Sequence, residues 1–213
     1  MNFFDWFVKS DLHLIRNEGI GEEILPGLWL GEAAAAGSEE WIAEHKITHV
    51  LACLPTDQDK SPCNKRLLVY DRSSEQLNRY FVSTVKWIHE KLKRNACLLV
   101  HCFAGVSRSA SIVIAYLISK HDFTFDSAFA YVKSKRPCIC PNRGFTAQLR
   151  QFTKQLALDR AVTASLLRRE NKKQQRKTKR RILTLIWDYN EHHWLKLSTL
   201  KDIAIYIFPC SPH

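Results

Sequence analysis

Short apolar runs alternating with helical patterns predict an α/β fold, a central, mostly parallel sheet flanked by helices. Three observations carry this expectation. The run ITHVLACL, residues 47–54, is β-branched and continuously apolar, as a strand covered on both faces would be. Leu77, Phe81, Val85, Ile88 and Leu92 then recur at helical spacing. CLLV, residues 97–100, is a second buried-strand run, and SRSASIVIAYLISKH, residues 107–121, is apolar nearly all round, so its helix is central and buried.

The elements follow in order. Residues 1–20 are an aromatic-rich extension containing Phe3, Phe4, Trp6 and Phe7. ILPGLWLG, 24–31, reads as a short strand after a Pro-Gly turn. SEEWIAEHK, 38–46, reads as a helix with Ser38 as its N-cap. TDQDKSPCNK, 56–65, is a polar loop, and RLLVY, 66–70, is another short apolar run. The polar DRSSEQ separates it from the helix over 77–92. After the central helix, FTFDSAFAYVKSKR, 123–136, is a further helix broken by PCICPN, and the last helix begins near Gly144. The expected organisation is an extension at 1–20, one folded domain at 21–160, and a basic and then apolar tail at 161–213.

Composition limits the function classes. At about 150 residues per domain, 213 residues make one domain plus extensions. Hydrophobic residues at 46% and charged residues at 25% exclude wholesale disorder. The net charge of +11 splits into +4 for residues 1–167 and +7 for 168–213. The excess is a property of the tail, so no nucleic-acid partner is expected from charge. No transmembrane segment is expected, because no apolar stretch approaches 18 residues. The seven cysteines make no disulfide framework, and MNFFDWFVKSDLH has no signal-peptide pattern. A reducing compartment, cytoplasm or nucleus, is therefore expected.

The chemistry concentrates after the second buried strand. There the chain reads LLVHCFAGVSRSASIVIAYL, with His101-Cys102, five residues, then Arg108. A loop between a strand and a helix N-terminus points successive N–H groups inward and forms an anion nest, helped by the helix dipole. In this run Phe103, Ala104, Gly105, Val106, Ser107 and Arg108 would wrap the anion. Gly105 permits a dihedral that a side chain would resist. Arg108 supplies a planar fork that matches two phosphoryl oxygens. The same positive field favours the thiolate form of Cys102. A thiolate under a bound phosphate is a nucleophile for phosphoryl transfer through a cysteinyl-phosphate.

These residues resemble the Cys-based protein phosphatases, specifically the small atypical members of the dual-specificity branch. The likeness continues through VKSKRPCICPNRGFTAQL, with Pro141-Asn142, Gly144-Phe145 and Gln148-Leu149 in the family's pattern, and LPGLWLG is similar to its first strand. The resemblance implies hydrolysis of phosphotyrosine and phosphoserine or phosphothreonine in proteins. It implies that Ser109 bonds the Cys102 sulfur and eases its departure, that His101 supports the loop, and that Asn142 and Arg136 brace it.

The leaving oxygen needs a proton. Asp71 follows RLLVY, expected as a strand, and begins the polar loop before the 77–92 helix, where the family keeps its acid; Asp57 and Asp59, in another strand-end loop, are the alternatives. Tyr70 stands near a place where relatives often carry Pro.

The phosphate loop interior FAGVS has no Lys, which favours phosphoprotein over inositol lipid. The substrate is expected to be a phosphoprotein, with a signalling kinase as one candidate. A phosphoprotein-binding scaffold with weak turnover, or a phosphatase acting on a non-protein ester, are the alternatives. No cofactor and no metal are expected: His45 and His49 lack the acid of a zinc motif, and His192, His193, Cys210 and His213 form no paired pattern. The run from Arg168 to Arg181 holds nine basic residues and one acid, and reads as a solvated helix end or as a nuclear-import or anionic-surface patch, with RNA binding the least favoured alternative. Cys138, and secondarily Cys53, is a candidate thiol to pair with an oxidised Cys102.

Overall fold

A computed structural model describes residues 19–55 and 61–193. The aromatic residues of the extension, the rival acids Asp57 and Asp59, and Cys210 and His213 lie outside the described residues. The chain divides into two compact units, 1–158 and 159–213.

Among the described residues of the first unit, five strands form one sheet: β1 (Gly21–Leu25), β2 (Leu28–Gly31), β3 (His49–Ala52), β4 (Lys65–Arg66) and β5 (Leu98–His101), in the order β1-β2-β5-β3-β4. Only β1–β2 is antiparallel; β2–β5, β5–β3 and β3–β4 are parallel. The two-residue turn Pro26-Gly27, with Gly27 at φ +77°, closes the antiparallel pair.

Side chains alternate across a strand, so β5 feeds two cores at once. Leu98 and Val100 join Leu28, Leu30 and Leu51 in the larger core. Leu99 faces the other way, into a smaller cluster with Ala35, Ala36 and Ile47. The larger core is closed by α3 (Phe81–Leu92), α4 (Arg108–Lys120), α5 (Phe125–Lys135) and the first turns of α6 (Arg143–His193). The smaller is covered by α1 (Ala33–Gly37) and α2 (Glu39–Glu44). Every residue of α4 from Arg108 to Ile118 is buried, which is why its sequence is apolar nearly all round.

Local chemistry places the helix ends. Ser38 caps α2 by accepting from Trp41 N–H at 3.2 Å, and Thr124 caps α5 through Ser127 N–H at 3.2 Å. Two expectations change. In RLLVY only Arg66 joins a strand: Leu67 and Val69 turn inward while Leu68 and Tyr70 face out, and the chain leaves the sheet edge to run past α4. The helix expected from Leu77 begins as a 3-10 turn, Leu77–Tyr80, and becomes α-helical only at Phe81. β1, GEEIL, has no apolar run or alternation, and α1 is little more than one turn, so neither shows a period in the sequence.

α6 is one helix of 51 residues. The part in the second unit is solvent-exposed through Arg181. Among the described residues no helix is long and apolar enough to cross a membrane.

Candidate active site

The site forms where β5 ends and α4 begins. Cys102 is 2% exposed, and the chain turns through 103–107 before entering α4 at Arg108. Four successive carbonyls of this loop are engaged on its outer side. Phe103 O accepts from Ala33 N–H at 3.1 Å and Val106 O from Cys140 N–H at 2.9 Å. Arg136 donates to Ala104 O at 3.3 Å and to Gly105 O at 3.1 Å. In a trans peptide the next N–H points opposite to its carbonyl. The N–H groups of Ala104, Gly105, Val106 and Ser107 therefore face into the loop, at the N-terminus of α4. That concavity suits an oxyanion.

Gly105 has φ +64°, and a Cβ there would stand 2.7 Å from Gly31 O. Both the dihedral and the close approach exclude a side chain. Arg136 is 1% exposed and also donates to Gly19 O and, in a short bond, to the Glu22 carboxylate. Burial is the largest single influence and opposes its charge, but the Glu22 bond and the charges of Cys138, Glu22 and Glu32 together outweigh it and hold the guanidinium above its ordinary value.

Inside the loop, Ser109 Oγ donates to Cys102 Sγ at 3.1 Å. Arg108 is buried, donates to Val69 O at 3.4 Å, and brings Nε to 3.8 Å from Asp71 Oδ2. His101 is fully buried, its Nδ1 3.4 Å from Cys102 O. Phe103 is 43% exposed, so its contribution to the nest is its backbone and its ring stands at the rim.

Asp71 reaches the same loop from the opposite side. Its Oδ1 accepts from Ser107 Oγ at 2.8 Å and from Asn142 Nδ2 at 2.7 Å. The start of α6 clamps the loop that carries it. Asn142 caps α6 by accepting from Phe145 N–H at 3.0 Å. Gly144 sits against Ser73, where a Cβ would lie 1.9 Å from Ser73 O. Gln148 donates to Glu75 O and accepts from Asn78 N–H, both at 2.8 Å. Phe145 and Leu149 are fully buried below. Asn142, Gly144 and Gln148 thus each contact the loop that carries Asp71, while Phe145 and Leu149 anchor the start of α6 in the core.

The geometry gathers Cys102, Arg108, Ser109, Asp71, Ser107 and Asn142 around one concavity. Sequence reasoning missed Glu22, which looks like any polar residue of an edge strand, and the N–H of Cys140. Cys53 directly follows β3 as Cys102 directly follows β5: Ala52 pairs with His101, and Cys53 N–H donates to His101 O at 2.8 Å. Burial first, then the neighbouring Cys102, push the Cys53 thiol well above its ordinary value, with Arg108 opposing. By register Cys53 is the lateral neighbour of Cys102, whereas Cys138 acts on Arg136. Among the described residues no group of three or more His, Cys, Asp or Glu could hold a metal ion.

Residues 28–155 match the family model of the dual specificity phosphatase catalytic domain. The chain is 37% identical over 144 residues to dual specificity protein phosphatase 1 of Arabidopsis thaliana, covering 66% of this chain and 73% of that protein. It is 40% identical over 135 residues to dual specificity protein phosphatase 22 of Mus musculus, covering 62% and 73%. Among solved structures it resembles human DUSP28, with a TM-score of 0.61, 29% identity and coverage of 66% and 97%. It also resembles human tyrosine phosphatase-like serine/threonine/tyrosine-interacting protein, with a TM-score of 0.61, 34% identity and coverage of 65% and 97%.

Proposed function

The chain belongs to the dual-specificity phosphatase family, a hydrolase of phosphotyrosine and phosphoserine or phosphothreonine in proteins, and from that premise we propose the role of each residue at the loop. The substrate phosphoryl group sits in the nest made by the backbone of Phe103 to Ser107, with the Arg108 guanidinium forked across two of its oxygens. Cys102, as thiolate, attacks phosphorus in line with the leaving oxygen. Asp71 Oδ2 gives that oxygen its proton, because Oδ1 is already held by Ser107 and Asn142. The products of this step are the free hydroxyl side chain and cysteinyl-phosphate. Asp71, now a carboxylate, takes a proton from water as the water attacks phosphorus. Inorganic phosphate and the Cys102 thiolate leave, and the Ser109 hydroxyl stabilises the departing sulfur. Asn142 positions Asp71, and His101 supports the loop from beneath.

The observation that carries this reading is the convergence of Asp71 and Cys102 on one loop: Asp71 is bonded to Ser107 and lies 3.8 Å from Arg108, the two residues that finish the nest around Cys102. The catalytic domain spans 21–160, between the extension at 1–20 and the tail at 161–213, a boundary supported by the unit ending at Leu158. The free thiolate needs a reducing cytoplasm or nucleus, and a phosphorylated signalling kinase is one partner of suitable chemistry.

The test is hydrolysis of an aryl phosphate followed by acid quench of the enzyme on labelled substrate. Activity unchanged by EDTA, blocked by vanadate and accompanied by phosphate trapped on Cys102 is the expected result. EDTA-sensitive turnover, or label elsewhere, would overturn it.

A further inference from the structure

The second unit contains the densest charge in the protein. Between Arg168 and Arg181 lie nine Lys and Arg residues and one acid, Glu170. All fourteen positions are helical and all are exposed. None of the nine meets a carboxylate within ion-pair distance among the described residues.

Six pairs within this run are like charges four residues apart, beginning with Arg168/Lys172 and ending with Lys177/Arg181. Such pairs destabilise a helix. The run is helical despite its own repulsion, so a polyanion that neutralises it would stabilise this same conformation.

The arrangement of the charges around the axis selects the polyanion. At 3.6 residues per turn the nine cover an arc of roughly 220°. Arg169, Lys173, Arg176 and Arg180 lie at its centre. Arg168, Lys172 and Lys179 flank it on one side, and Lys177 and Arg181 on the other. The one acid, Glu170, stands between Lys177 and Arg181 on that second flank, and the remaining back face is Asn171, Gln174, Gln175 and Thr178, polar and uncharged. A flat anionic surface meets less than half of a helix. A groove whose walls are phosphates meets the centre and both flanks. The B-form major groove, about 12 Å wide, admits a helix of about 10–12 Å, whereas the A-form major groove is too narrow. Fourteen residues extend about 21 Å, or roughly six base pairs.

We infer that the helical run Arg168–Arg181 binds double-stranded DNA in the major groove, largely through phosphates and with no base sequence preference required. Charge alone gave no reason to expect this, because a solvated helix end has the same composition; the arc is the added observation. The inference does not depend on the phosphatase reading.

Fluorescence anisotropy of a labelled 16-base-pair mixed-sequence duplex with the full chain, from 50 to 200 mM NaCl, tests it. The logarithm of the binding constant should fall linearly with log salt, with a slope steeper than about −4. R169Q/K173Q/R176Q/R180Q should weaken binding at least ~100-fold and flatten the slope by about 3 to 4. Each flank, R168Q/K172Q/K179Q on one side and K177Q/R181Q on the other, should cost at least ~10-fold, and N171A/Q174A/T178A should cost nothing. Should the central variant lose helical circular dichroism, the charge-conserving R169K/R176K/R180K must retain the wild-type slope. Equal or tighter binding to an RNA duplex or to phosphatidylserine vesicles, indifference to either flank, or a loss from the back-face variant would overturn the inference.

Discussion

The two loops that meet at the active site are built by opposite means. The phosphate loop, Cys102 to Arg108, is held through its backbone, with four carbonyls bonded outward and a buried Arg136 as the keystone. The acid loop around Asp71 lies at the surface and is held by side chains of another element, Asn142 and Gln148, and by a close contact at Gly144. The side chain of Asp71 is 36% exposed, against 8% for Arg108. The difference follows from the tasks. An anion nest works only if its N–H groups do not reorganise, so the scaffold fixes them. An acid must exchange a proton with the leaving group and then with water, so it needs access and only a directional hold.

That contrast can be broken at either end. The largest effect belongs to Cys102→Ser. It removes the nucleophile and leaves the nest, so turnover should fall on the order of 10⁴-fold or more while phosphopeptide binding persists. Calorimetric titration of the inactive variant with phosphopeptide checks the second half. A variant with substantial turnover would remove Cys102 from the mechanism.

Next is Arg136→Ala. It removes the partner of the partly buried Glu22 carboxylate and strands the carbonyls of Ala104 and Gly105, and leaving such groups unpaired typically costs about 1–3 kcal/mol. Urea denaturation should show that loss. A variant as stable as wild type would mean the phosphate loop does not depend on this keystone.

Asp71→Asn should slow phosphopeptides by ~10²-fold and activated aryl phosphates much less, because a good leaving group hardly needs the proton. Equal losses on both would make Asp71 structural. Asn142→Ala should reproduce the same leaving-group selectivity more weakly, about 10-fold, with thermal stability little changed. If it instead damaged both substrates equally, the acid loop and phosphate loop would not be separable.

The smallest expected effect is at Cys53. Its thiol is held above the ordinary range by burial and by Cys102, so the folded state keeps a proton that the unfolded chain releases. Folding stability should therefore decline as pH rises through about 8.5, the ordinary thiol value. Cys53→Ala should flatten that decline in pH-dependent urea titrations, and an unchanged slope would contradict it.

Much of this was legible in the chain. The apolar runs at 47–54 and 97–100, the helical spacing from Phe81, and the cap at Ser38 are encoded within a few residues of where they act. The loop motif from His101 to Ser109 is equally compact, and the sulfur–hydroxyl contact that the family resemblance implied is present at 3.1 Å. Where reading went astray, at Leu67–Tyr70, the run has strand composition, but its position beside α4 drew it off the sheet edge.

By itself, then, the sequence determined the α/β class, the loop of the proposed nucleophile and caps such as Ser38, because periodicity, capping and turn chemistry are short-range and each is satisfied by neighbours in the chain. Only the tertiary structure decided what holds the chemistry together. Ser107 meets Asp71 across 36 residues, Asn142 meets Asp71 across 71, and Arg136 meets Glu22 across 114. Nothing local distinguishes Glu22 from the exposed Glu residues, or Asp71 from a solvated turn acid. Those partnerships exist because the fold brings the start of β1, the end of the central strand β5 and the start of α6 to one end of the sheet, where a buried charge must find its counterpart or not be buried at all.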